Sequence, residues 1–155
     1  ASDVYKRQVP YKTGTTLTLR DGMIGRVYVR FVTDAGIDEM QLSGIAVDKK
    51  APTKTKIKVN RSGIKTLKTS TKTSYNKKIK KSAKFVFSAS YGISGKSKTQ
   101  YKIVPKGKKA SKYRWKTANK ITYKKKNKKV SIYARFIDKC GNITQRKSSG
   151  FYITK

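Results

Sequence analysis

Apolar and polar residues alternate at period two along much of the chain, a spacing that turns one face of a β-strand to a core and the other to water. The clearest run is Val130-Ser131-Ile132-Tyr133-Ala134-Arg135-Phe136-Ile137, with Val130, Ile132, Ala134 and Phe136 on one face. Lys84-Phe85-Val86-Phe87-Ser88-Ala89 repeats the pattern, with Phe85, Phe87 and Ala89 inward. Thr55-Lys56-Ile57-Lys58-Val59 alternates lysine with β-branched residues, so its lysines are expected to point to water. Tyr101-Lys102-Ile103-Val104, Ile121-Thr122-Tyr123 and Phe151-Tyr152-Ile153 complete the set, and no stretch carries a helical apolar face. Short strands separated by Gly, Asn, Ser and Lys turns predict an all-β sandwich.

The pattern also recurs within the chain. Tyr28-Val29-Arg30-Phe31-Val32-Thr33-Asp34-Ala35-Gly36 lies over Tyr133-Ala134-Arg135-Phe136-Ile137-Asp138-Lys139-Cys140-Gly141. Downstream, Ser43-Gly44-Ile45-Ala46-Val47 lies over Ser149-Gly150-Phe151-Tyr152-Ile153 with one residue of slippage. Upstream, Tyr11-Lys12-Thr13 meets Trp115-Lys116-Thr117, and Leu17-Thr18-Leu19 meets Ile121-Thr122-Tyr123. Nothing before Tyr11 matches residues 51–112. The first module therefore reads as the back half of the second, about three strands without their front partners.

Charge sharpens the division. The chain holds 40 Lys and Arg against 7 Asp and Glu, a net of +33. Residues 1–50 carry 8 basic and 6 acidic groups, whereas residues 51–155 carry 32 basic and 1 acidic. That step marks a boundary near Asp48-Lys49-Lys50-Ala51-Pro52. High charge with modest hydrophobicity is also a signature of disorder. The 10 Tyr, 5 Phe and single Trp fall in alternation rather than at random, and this periodicity argues for a folded domain.

The boundary segment Asp48-Lys49-Lys50-Ala51-Pro52-Thr53 is similar to the D-x-x-A-P-T opening of bacterial immunoglobulin-like repeats. Ser88-Ala89, Gly92-Ile93-Ser94-Gly95 and Tyr101-Lys102-Ile103 resemble the second and third strands of such repeats. Ile132 to Asn142 resembles their Y-A-R-x-x-D-x-x-G-N strand and turn, also found in fibronectin type III relatives. The resemblance spans residues 48–155 and, in part, 9–47, where the Ala35-Gly36-Ile37-Asp38 turn departs from the Gly-Asn pattern. It implies tandem β-sandwich modules of a secreted or cell-surface protein of the Gram-positive type, serving as spacers or adhesive units. The expected organisation is residues 9–49 as the C-terminal half of an immunoglobulin-like repeat and residues 50–155 as a complete lysine-rich one.

Residue types exclude much chemistry. The chain has no His, which removes histidine-based triads and His metal sites. Residues 51–155 offer one carboxylate, Asp138, too few for paired-carboxylate hydrolysis. No glycine-rich phosphate loop occurs, and Gly22 and Gly25 in Asp21-Gly22-Met23-Ile24-Gly25 read as a hairpin turn. No enzyme activity, metal or cofactor is expected. Asp138, with Asn142 near, is read as shaping its turn through side-chain hydrogen bonds rather than ligating a cation. Cys140, the single cysteine, is read as occupying a small-residue turn position, as Ala35 does in the other repeat. Trp115 and Tyr113, set among Lys112, Arg114 and Lys116, are candidate stacking residues for sugars or bases, against a reading in which they pack on the sandwich.

Lysine carries the functional signal. Lys77, Lys78, Lys80, Lys81 and Lys84 form one run, Lys106, Lys108, Lys109 and Lys112 a second, and Lys124, Lys125, Lys126, Lys128 and Lys129 a third. The third is expected in a hairpin turn, as a basic knuckle in solvent. So strong a positive field favours anionic polymers as partners: teichoic acids, acidic glycans or anionic lipid surfaces. The leading expectation is a non-enzymatic, extracellular or wall-bound module that spaces or anchors a larger protein, its neighbours being further repeats. A nucleic-acid-binding protein is the alternative, weakened because only 8 of the 40 basic residues are Arg, the side chain suited to bidentate recognition. A third reading is the accessory binding domain of a carbohydrate-active or wall-lytic enzyme.

The first eight residues, Ala-Ser-Asp-Val-Tyr-Lys-Arg-Gln, are the in-frame translation of GCG TCA GAT GTG TAT AAG AGA CAG. That string resembles the end of a transposase-based sequencing adapter. Residues 1–8 are therefore expected to be a disordered adapter remnant fused to a gene fragment.

Overall fold

The computed structural model describes residues 12–14, 16–60 and 63–154, so the octapeptide and Tyr11 lie outside the described residues. Strands dominate, no α-helix occurs among the described residues, and no helix is long and apolar enough to cross a membrane. The chain divides into two units, one ending at Val47 and the other beginning at Asp48.

In the first unit, β1 (Ile24–Thr33) and β2 (Gly36–Ala46) form an antiparallel hairpin closed by Asp34-Ala35. Val27, Val29 and Phe31 share one face with Leu42, Met40 and Asp38 opposite them. On the other face Arg30 and Glu39 face each other in a 2.7 Å ion pair. The register slips between Gly25 and Val27, where β2 carries an extra residue and Gly44 takes φ +70°. That left-handed conformation suits a glycine at a bulge. Phe31, Met40 and Leu42 are each about half exposed, so the apolar face is bare.

Two expectations fail in this unit. Leu17-Thr18-Leu19, aligned with Ile121-Thr122-Tyr123, is not a strand. In the second unit that segment pairs with a neighbouring strand, and the hairpin offers no counterpart for Leu17–Leu19 to bond. Asp21-Gly22 is a turn leading into β1 rather than a hairpin, because no strand precedes it among the described residues. Its geometry is held instead by Gly22 N–H donating to Val47 O and Val47 N–H donating to Met23 O.

The second unit contains β3 (Thr53–Val59), β4 (Thr66–Lys68), β5 (Lys77–Lys80), β6 (Ala83–Ser90) and β7 (Lys96–Pro105). A 3-10 turn (Ala110–Lys112) leads to β8 (Lys116–Thr117), β9 (Lys120–Tyr123), β10 (Val130–Asp138), β11 (Ile143–Ser148) and β12 (Phe151–Thr154). They make two sheets: three strands in the order β3-β6-β9, and seven in which β10 is flanked by β7 on one side and by β11 and β12 on the other. β8 extends β7, β4 extends β11, and β5 runs parallel to β12.

The alternation read from sequence sets the core between these sheets. Ile57, Phe85, Phe87 and Tyr123 come from the three-stranded sheet, and Ile79, Val130, Ile132, Ala134, Phe136, Phe151 and Ile153 from the other. Phe151 joins them, its ring 5.1 Å from Phe85 and edge-on to Tyr123 at 5.6 Å. Fully burying one such side chain is worth about 1.5–3 kcal/mol. Lys54, Lys56 and Lys58 stand in water as the β3 pattern requires. The outward face of β10 is less exposed than simple alternation suggests, since Ser131 and Ile137 are also buried. A central strand is covered on both faces where loops and long side chains lie across the sheet.

Candidate functional site

Hydrogen bonding around β12 gathers the three lysine runs. β5, which carries Lys77, Lys78 and Lys80, pairs with β12 from Phe151 to Thr154. From the segment joining β9 to β10, Lys126 bridges to Ile153 and Asn127 N–H donates to Ile153 O at 2.8 Å. Lys106 N–H donates to Lys129 O at 2.9 Å, tying the second run to the third. Lys129 Nζ sits 5.8 Å from the Tyr152 ring and Lys106 Nζ 6.0 Å from the Tyr75 ring. Ring faces attract cations, so these aromatic groups hold ammonium groups in place without neutralising them.

Every lysine of the third run is exposed, as are Lys78, Lys80, Lys81, Lys84, Lys106, Lys108, Lys109 and Lys112, while Lys77 is half-buried. The third run is a solvent-facing knuckle, but not a hairpin. β9 and β10 belong to different sheets, so Lys124–Lys129 crosses from one to the other, with Asn127 at φ +58° turning the chain.

The carboxylates of this unit lie at the opposite end. Val130 and Asp138 bound β10, placing them about 27 Å apart at the usual rise per strand residue. Asp138 is buried and accepts hydrogen bonds from Asn142 N–H and from the Asn142 side-chain amide, both at 2.9 Å. This is the turn-shaping role expected of it, with Cys140 exposed in the same turn. Asp48 accepts from the Ser94 hydroxyl at 2.7 Å and from Lys50 N–H at 2.9 Å. These bonds hold its carboxyl below the ordinary range, the Ser94 hydroxyl contributing most. Both carboxylates are thus committed to the fold at a distance from the lysine-rich end.

Trp115 sits on the outer face of the larger sheet. Lys102 Nζ lies 4.5 Å and Arg135 Cζ 4.6 Å from its ring centroid. Lys102 is buried, donates to Ala110 O at 2.6 Å, and is pushed below the usual lysine range by desolvation and by Arg135. Arg135 donates to Gln100 Oε1 at 2.7 Å. The ring is engaged within its own unit, the packing alternative weighed for it. Tyr113 is half-buried and directly follows the 3-10 turn.

A cleft of about 390 Å³ opens next to β5 and β12, lined by Gly63, Lys65, Leu67, Lys72, Ser74, Asn76, Lys77, Ser149 and Gly150. Sequence reading singled out Lys77 but missed Lys65 and Lys72, because isolated lysines carry no signal until the fold brings them together. Among the described residues no group of three or more His, Cys, Asp or Glu is placed to hold a metal ion. Comparison with protein-family models, with curated proteins and with solved structures gives no match to this chain.

Proposed function

We propose that the second unit is an immunoglobulin-like module of a surface or secreted protein, and that its lysine-rich end holds anionic polymers of the cell envelope without catalysis. The fold reading draws support from its connections: β6 to β7, β8 to β9 and β9 to β10 each pass between sheets, the Greek-key manner of such sandwiches. The first-unit hairpin, carrying Tyr28, Arg30 and Phe31 where the second has Tyr133, Arg135 and Phe136, is read as part of a neighbouring repeat.

One observation carries the binding reading. Two lysine runs distant in sequence meet at β12 and a third is tied to them through Lys106 and Lys129, while Asp48 and Asp138 are occupied near the far end of β10. Concentrating like charge raises self-repulsion, and an anionic polymer relieves it by displacing counterions. Sedimentation with purified cell walls, with and without their teichoic acid, tests the reading. Retention that disappears on teichoic-acid removal is expected, and equal retention on both preparations contradicts it.

A further inference from the structure

The cleft beside β5 and β12 is framed by hydrogen bonds to the turn between β11 and β12. Ser149 N–H donates to Lys65 O at 2.8 Å, and Lys65 N–H donates back to Ser149 Oγ at 3.0 Å. Gly150 N–H donates to Ser74 O at 2.7 Å. Two walls, the approach to β4 and the approach to β5, are thereby fastened to the β11–β12 turn as a floor. Two glycines permit close packing at its edges: a side chain at Gly63 would overlap the Lys77 ammonium, and one at Gly150 would overlap Tyr75 and the Ser74 carbonyl.

The lining chemistry is selective. Lys65, Lys72 and Lys77 supply cationic donors, Ser74, Asn76 and Ser149 supply neutral polar groups, and no carboxylate is among the described lining residues. Tyr75 packs its ring against Gly150 at the floor, but no aromatic residue is among the described lining residues. Nucleic-acid bases are held chiefly on aromatic platforms, and such platforms serve sugar rings too. The cleft instead matches an unringed chain in which phosphate alternates with hydroxyl-bearing carbons.

We propose that this cleft is the specific seat for a polyol-phosphate segment: the lysines grip one phosphodiester while Ser74, Asn76 and Ser149 meet the adjoining hydroxyls. The proposal rests on the anionic-polymer reading above and gives it one preferred docking point. Lysine suits a phosphate whose angle of approach varies along a flexible chain, because its ammonium is a point charge with rotatable donors.

The test titrates the full chain with a short poly(glycerol phosphate) oligomer and follows its backbone amides by NMR. The largest shifts are expected at Gly63, Ser149 and Gly150, and Lys72→Gln is expected to weaken binding about tenfold. Lys125→Gln, the same loss of charge on an exposed knuckle, is expected to weaken it by no more than about twofold. Because Lys72 is exposed, its replacement leaves the fold intact, which the same spectra verify. Equal losses in the two variants, or shifts centred on residues 124–129, overturn the cleft while leaving polymer binding in place. No binding at low salt overturns both. Single-stranded DNA shifting the same cleft amides as strongly overturns the choice of a polyol phosphate.

Discussion

The side-chain amide of Asn142 donates to the main-chain carbonyl of Asp48 at 2.6 Å, joining residues 94 positions apart. The same amide donates to the Asp138 carboxylate at 2.9 Å. One residue thereby fastens the start of the second unit to the turn between β10 and β11. Thr144 adds to the seam by donating to Pro52 O at 2.6 Å. Asn142→Ala removes both donors and leaves a buried carboxylate short of a partner, a loss of about 2–3 kcal/mol. Urea unfolding followed by Trp115 fluorescence measures this, since Trp115 is the chain's only tryptophan and reports the second unit alone.

The same seam fixes where the chain can be cut. Removal of residues 1–47 is expected to leave the second unit's cooperative transition intact, because its core draws on both of its own sheets. Removal of residues 1–50 is expected to lower the midpoint further, because it deletes the carboxylate that binds Ser94. Equal midpoints for the two shortened chains would show that Asp48 contributes nothing.

Phe31 and Phe136 occupy matching places in the two hairpins but differ in cover: Phe31 is 53% exposed and Phe136 fully buried. Phe136→Ala is expected to cost about 3–5 kcal/mol. Phe31→Ala is expected to change stability by less than about 1 kcal/mol. Calorimetry of the full chain compares them directly, and similar losses would contradict the difference in cover.

Stability should also respond to pH in two directions. Asp48 titrates below its ordinary value of 3.8 when folded, so its contribution is complete above that value and is lost as pH falls through the folded one. Lys102 and Lys147 are lowered from 10.5 by desolvation, with Arg135 adding to the effect at Lys102. The unfolded chain then holds the lysine protons more tightly, and stability rises as pH climbs towards 10.5. Tyr123 and Tyr133, raised above 10.0 by burial, oppose that gain once the unfolded tyrosines begin to ionise. Melting temperature should therefore fall on acidification below 3.8 and rise on the alkaline side until tyrosine ionisation intervenes.

The strands with apolar alternation were legible from sequence because burial enforces a two-residue period: β6, β9, β10 and β12 coincide with the runs around Phe85, Ile121, Ile132 and Phe151. β5 was hidden because Lys77-Lys78-Ile79-Lys80 buries only Ile79 on the core side, and a single apolar residue shows no period. The crossover at Lys124–Lys129 resembled a hairpin since turn residues look alike whether the next strand joins the same sheet or the facing one. The lysine runs could be seen individually, but their convergence on β12 depends on non-local pairings such as Phe151 with Lys77. Lys65 and Lys72 became candidates only through the cleft they line with Lys77.

The central claim is that the lysine-rich end binds anionic polymer through concentrated charge. Affinity for poly(glycerol phosphate) should be measured against salt concentration for the full chain and for a variant carrying Lys78→Gln, Lys80→Gln, Lys106→Gln, Lys124→Gln and Lys126→Gln. The unaltered chain is expected to lose affinity steeply, about tenfold or more between low and physiological salt, and the variant to bind more weakly with a shallower dependence. Affinity indifferent to salt, or unchanged by the substitutions, would contradict the claim.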